Sequence, residues 1–140
     1  MTSPTAPDPT AAELLSARVE LPSTRRTPRA ARRLVAEILA AWQMENMIIR
    51  AQYVVSEIVS NAVEQVVADT TLVLELIQQP GRLRIQLTSG RAQRPIPRVV
   101  RDLSMHMIDA IAEHWGTTQH PSGRRLWLDL TASMIDEPCL

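Results

Sequence analysis

The sequence predicts an α+β domain: a two-layer sandwich with a mixed, mostly antiparallel sheet and its helices gathered on one face. Two observations carry that expectation. Apolar residues recur at helical spacing in some stretches and at alternate positions in others, giving the order strand, helix, helix, strand, strand, helix, strand, strand. Several successive strands have no helix between them, so they must pair mainly antiparallel, and the helices are left to cover one side.

Residues 1–16 open on Thr, Pro, Ala and Ser with little charge, a composition too poor in apolar groups to order itself. The domain proper is expected over 17–131, between this disordered tail and a short acidic tail at 132–140. Ala17-Arg18-Val19-Glu20-Leu21-Pro22 alternates polar and apolar residues before a proline, as an edge strand does. Thr27 followed by Pro28 reads as an N-cap and first helical residue. Leu34, Val35, Ile38, Leu39 and Trp42 then form one apolar stripe, with arginines opposite. A second helix is expected over 47–67, burying Ala51, Val55, Ile58, Ala62 and Val66.

Thr71-Leu72-Val73-Leu74-Glu75-Leu76-Ile77 and Arg82-Leu83-Arg84-Ile85-Gln86-Leu87 flank Gln78-Gln79-Pro80-Gly81, which is hairpin chemistry. Gly90, Pro95 and Pro97 make 88–97 a loop. A third helix is expected over 99–114, with Leu103, Met107, Ile108 and Ile111 on one side and Trp115-Gly116 as its stop. Residues 117–120 and 124–131 then form a last strand pair around Pro121-Ser122-Gly123.

At 140 residues the chain suits one domain, and 45% apolar with 21% charged residues is an ordinary globular composition. The formal net charge is zero and every one of the 15 basic residues is arginine, which argues against a general nucleic-acid binder and removes the lysine of a P-loop. Phe is absent, so there is no stacking platform for bases. Cys139 is the single cysteine, which excludes a disulfide framework and a cysteine zinc site. His106, His114 and His120 have no second ligand at a zinc spacing, so they read as ordinary surface or half-buried histidines. No apolar run approaches the ~20 residues of a membrane span and no secretory signal opens the chain, so a cytoplasmic location is expected.

The segment Val54-Val55-Ser56-Glu57-Ile58-Val59-Ser60-Asn61-Ala62-Val63 sets a carboxylate and a carboxamide four residues apart on one helix face, at the edge of the buried stripe. Such a pair can take a proton through Glu57 and bind a divalent cation through Asn61; it can equally be two polar residues at a helix rim. Arg25, Arg26, Arg29, Arg32 and Arg33 are the densest charge cluster. They read either as a solvated face, slightly unfavourable beside a helix N-terminus, or as a surface that recognises an acidic protein.

This order of elements, the helix motif at 54–63, the Leu39-Ala40-Ala41-Trp42 end of the first helix, the Gly81-Arg82-Leu83-Arg84-Ile85 strand entry and Ile108-Asp109-Ala110-Ile111-Ala112-Glu113-His114-Trp115-Gly116 together resemble the anti-sigma factor serine kinases. Those are small members of the histidine kinase-like (GHKL) ATPase superfamily, which also holds gyrase, the heat-shock chaperone, histidine kinases and the MutL repair protein. The likeness covers residues 17–131 and looks most like the short actinobacterial forms. It implies the Bergerat type of sandwich, with ATP or ADP and magnesium as cofactors, Glu57 as general base and Asn61 as magnesium ligand. It also implies a sigma factor or an anti-sigma factor antagonist as partner, and it leaves a homodimer open, since relatives often pair through sheets and first helices. No nucleic acid or membrane partner is expected.

The chain departs from the family pattern where nucleotide is held. Ser89, before Gly90, stands where a carboxylate normally receives the adenine amino group, and a hydroxyl makes a weaker hydrogen bond than a charged acceptor. The glycine-rich segment that closes on phosphates is Asp102-Leu103-Ser104-Met105, without glycine and with a carboxylate that would face a triphosphate. Gly123-Arg124-Arg125 keeps positive charge but loses the hydroxyl, and Gln65 replaces a frequent histidine. Asn61, Ser89, Gly90, Ser104 and Arg125 are thus the candidate cofactor contacts of a degenerate site. The expected function is a regulatory protein of the anti-sigma type, more a pseudokinase than an enzyme. The alternative is an active magnesium-dependent protein serine kinase acting on an antagonist.

Overall fold

A computed structural model describes residues 14–66, 70–90, 98–121 and 123–132, with the side chains of 98–104 and of His120 outside that description. The expected N-terminal tail through residue 13, most of the 88–97 loop, and the C-terminal tail from 133 with Cys139 fall outside the described residues. The chain runs β1 (Ser16–Pro22), α1 (Thr27–Ala41), a 3-10 turn (Glu45–Met47), α2 (Ile48–Gln65), β2 (Thr71–Gln79), β3 (Arg82–Ser89), α3 (Arg98–Ile111), β4 (His114–His120) and β5 (Gly123–Thr131).

The sheet order is β1-β2-β3-β5-β4, and every described pairing is antiparallel, so the sheet is not mixed. Alternation places Leu72, Leu74 and Leu76 of β2, Leu83, Ile85 and Leu87 of β3, and Leu128 and Leu130 of β5 in the core. They share one cluster with Ala31, Val35 and Leu39 of α1, the α2 stripe, and Ile108 of α3. One face of the sheet is therefore covered by helices and the other is open. The expected α2 stripe is buried throughout, and Val54 and Val59 widen it. Among the described residues no helix is long and apolar enough to cross a membrane.

Three local expectations are corrected. Thr27 is the first residue of α1 and not its cap: its hydroxyl donates to the Pro22 carbonyl and accepts the Thr24 N–H, so it fastens the turn out of β1. The cap position belongs to Arg26, which offers no side-chain acceptor. β3 runs on through Ser89, into what composition marks as loop, because it still has Arg124 of β5 to pair with. α3 ends at Ile111, so that His114, Trp115 and Gly116 lie in β4. The Glu113 N–H bonds to the Asp129 carbonyl and pulls the chain into the sheet, an interaction that helical periodicity cannot foresee. Gly116 is not a helix stop: the Trp127 ring lies over it, and a Cβ there would come 2.9 Å from the ring.

α1 stops in a Schellman turn, with the Gln43 N–H on the Ala40 carbonyl and the Met44 N–H on the Leu39 carbonyl. This turn needs a left-handed residue, and Gln43 adopts it at φ 60. A non-glycine residue there is strained by about 1–2 kcal/mol, partly offset by the greater chain entropy glycine loses on folding. Gln43→Gly is therefore expected to raise the melting temperature by roughly 2–4 °C.

The open face carries charge in cross-strand register. Arg84 pairs with Asp129, Gln86 with Trp127 and Thr88 with Arg125. Arg84 grips Asp129 through both ends of its guanidinium, Nε to Oδ1 at 2.8 Å and Nη2 to Oδ2 at 2.9 Å, and Arg82 adds a contact at 3.5 Å. The same guanidinium lies 4.5 Å from the centroid of the Trp127 ring. Asp129 is only 1% exposed under this cover.

Candidate functional site

α2 has two polar edges, because residues four apart stack on a helix. One edge carries Gln52, Ser56 and Ser60 and faces α1: the Gln52 amide donates to the Arg32 carbonyl at 3.1 Å, and Arg32 Nη1 donates to Ser56 Oγ at 3.0 Å. The other carries Tyr53, Glu57 and Asn61 and faces α3, where the Tyr53 hydroxyl reaches Met107 Sδ at 3.7 Å. Glu57 and Asn61 are both half-buried, at the rim of the apolar stripe. Their shared edge keeps a carboxylate and an amide oxygen within reach of one small ligand.

The remaining candidates do not all join them. Arg125 alternates with Leu126 and sits on the side of Trp127 and Asp129, the open face, where its Nε–H donates to Thr88 Oγ1 at 3.3 Å. The sheet thus separates its side chain from Glu57 and Asn61. Ser89 ends β3 beside Thr88 and Arg125, at a small cavity of about 170 Å³ that Arg18 and Glu75 also line. Gly90 packs on Thr70, and a Cβ there would lie 2.4 Å from Thr70 Cγ2, so close packing alone accounts for this glycine. Ser104 lies in α3, with its side chain outside the described residues.

A magnesium triphosphate fits this arrangement in part. Asn61 and Glu57 are suited to a hydrated cation and a proton acceptor. Arg125 faces the other side of the sheet, and the sequence leading into α3 has no glycine for a backbone cradle, while the side chains of Arg91, Arg94, Arg98 and Arg101 lie outside the described residues. Among the described residues no group of three or more His, Cys, Asp or Glu side chains could hold a metal ion.

Sequence reasoning passes over two features. Ser56 and Ser60 meet the arginine cluster, and together with it they line a concavity of about 790 Å³. The signal is their four-residue spacing, opposite in hand to Glu57 and Asn61. The Arg84, Trp127 and Asp129 constellation is foreshadowed only by alternation within Arg82-Leu83-Arg84 and Trp127-Leu128-Asp129.

Arg84 and Asp129 form the shortest ion pair of the open face among the described residues. The hydrogen bonds from Arg84, against an opposing effect of burial, hold the Asp129 carboxyl below the usual carboxylate range. Arg84 is raised in turn, chiefly by the same hydrogen bonds. Arg50, on α2, donates to the Thr131 carbonyl at 2.6 Å, and burial lowers its pKa. No protein-family model matches the chain, and no curated protein is significantly similar to it.

Proposed function

We propose that the protein is a regulatory binding protein of the anti-sigma factor type, built on a Bergerat-type sandwich whose nucleotide site has eroded. The observation that carries this reading is the division of the candidate site. Glu57 and Asn61 share one edge of α2, whereas Arg125 lies across the sheet from them and no glycine opens α3. Among the described residues, a base and a metal ligand that are parted from Arg125 and lack a glycine cradle are poorly placed to hold a γ-phosphoryl group in line. The partner of such a protein is a sigma factor or the antagonist that competes for it, held by surface complementarity and without turnover.

The edge shared by Glu57 and Asn61 is what favours the second reading, an active protein serine kinase in which Glu57 accepts the substrate hydroxyl proton. The two readings differ in nucleotide binding. In the binding-protein reading, millimolar magnesium-ATP or magnesium-ADP leaves the melting temperature unchanged. A saturable stabilisation would favour the kinase.

A further inference from the structure

The concavity between the start of α1 and the Ser56 and Ser60 edge of α2 holds more positive charge than anything local to it explains. Arg25, Arg26, Arg29, Arg32 and Arg33 surround it, and among the described residues none of them appears in an ion pair. Apart from the hydrogen bond from Arg32 to Ser56, the local contributions oppose such a cluster. The arginines stand at the positive end of the α1 dipole, at a terminus capped by no side chain, and several are three or four residues apart, where like charges repel. Arg25, Arg26, Arg29 and Arg33 are exposed and add nothing to the core, which suits a surface whose role is binding.

We infer that this surface docks an acidic polypeptide segment, a stretch of the partner that presents several carboxylates along two helical turns or an extended strand. Shape and chemistry both select that occupant. The five arginines are spread over residues 25–33, roughly two helical turns of chain, which matches carboxylates spread along a chain better than one compact polyphosphate. The lining has no aromatic residue on which a base could stack. Overall charge is zero, with 15 acidic residues balancing the 15 arginines, so the chain as a whole has no net attraction for a nucleic-acid backbone.

The stripe is also preorganised. Arg32, the half-buried member, is fixed by Ser56 Oγ at 3.0 Å, and the Gln52 amide holds its backbone carbonyl, so α1 and α2 meet the ligand as one rigid wall. Arg25, Arg26, Arg29 and Arg33 stay exposed around it as the ends that a partner would desolvate.

The inference deepens the binding-protein reading by giving the partner's chemistry, and its test involves no nucleotide, so either can fail alone. Binding of a synthetic Glu-rich helical peptide to the full chain is compared between the native protein, Arg29→Glu/Arg33→Glu, and Arg18→Glu/Arg124→Glu, which makes the same charge change elsewhere. The stripe variant is expected to bind at least about tenfold more weakly, with the control near native and native binding falling steeply with salt. Its melting temperature should be equal or higher, since repulsion is relieved. Equal losses in both variants, no peptide binding by the native protein, or tighter binding of tripolyphosphate or duplex DNA than of the peptide would each overturn the inference.

Discussion

Arg84→Met is expected to lower the unfolding free energy by about 3 kcal/mol, because it leaves a buried carboxylate with only the longer contact from Arg82 at 3.5 Å. Asp129 is 1% exposed, whereas Arg84 and Arg82 are 30% and 39% exposed and can be rehydrated when their acceptor is lost. The pair is therefore asymmetric. Asp129→Asn should destabilise less than Arg84→Met, and adding Asp129→Asn to Arg84→Met should recover part of the loss. Urea unfolding of the four proteins measures all three statements.

Acid separates them further. A carboxyl held low in the folded state contributes stability that is complete above its unfolded pKa of about 3.9 and is lost as pH falls toward its folded value. Native stability from this group should thus hold from neutral pH down to about 4 and fall below it. In Arg84→Met burial acts without the compensating hydrogen bonds and favours the protonated acid. The gap between variant and native protein should then narrow on acidification. A gap independent of pH would mean that Arg84 acts through its packing on Trp127 alone.

Gly123→Ala should be nearly as damaging, at about 2–4 kcal/mol. Gly123 opens β5 at φ 145, a conformation that residues with a Cβ avoid, and an added Cβ would fall 1.9 Å from the Ser89 carbonyl oxygen and 2.8 Å from the Gly90 carbonyl carbon. Both obstacles are backbone, so relief requires β3 and β5 to move apart where they join. Gly81→Ala is the control. Gly81 is also left-handed, at φ 70, but nothing lies within 4 Å of its added Cβ, so only the conformational strain of about 1 kcal/mol remains. Equal melting temperatures for the two variants would contradict this account of Gly123.

Local signals made much of the fold legible. The hairpin from β2 to β3 could be read because Pro80-Gly81 joins two alternating runs, and α2 because its apolar stripe keeps one period across five turns. What escaped depends on partners distant in the chain. The end of α3 is decided by Asp129, whose carbonyl takes the Glu113 N–H, and Thr27 is diverted from capping by Pro22. Arg84 and Asp129 are 45 residues apart, and nothing local announces that β5 inserts beside β3.

The candidate site was legible as chemistry and less so as geometry. The four-residue spacing of Glu57 and Asn61 is enough by itself to fix their common edge on a helix. The side on which Arg125 lies was also implicit, since Leu126, Leu128 and Leu130 alternate with it, but that matters only once the helices are placed on the leucine side. The concavity of the arginine stripe needed α1 and α2 to be packed together, and no periodicity in either helix specifies that.

An equilibrium nucleotide titration tests the central proposal, that a regulatory binding protein carries the base and the metal ligand without the glycine cradle for phosphate. Melting is followed with magnesium-ATP, magnesium-ADP and magnesium alone. A ligand at a hundred times its dissociation constant stabilises by about 2.7 kcal/mol, roughly 10 °C for a domain of this size. The account predicts a shift of less than about 1 °C at about 5 mM nucleotide, the same in native protein, Glu57→Gln and Asn61→Ala. A saturable shift of several degrees with ATP and magnesium, abolished by Asn61→Ala, would contradict it and establish a working nucleotide site.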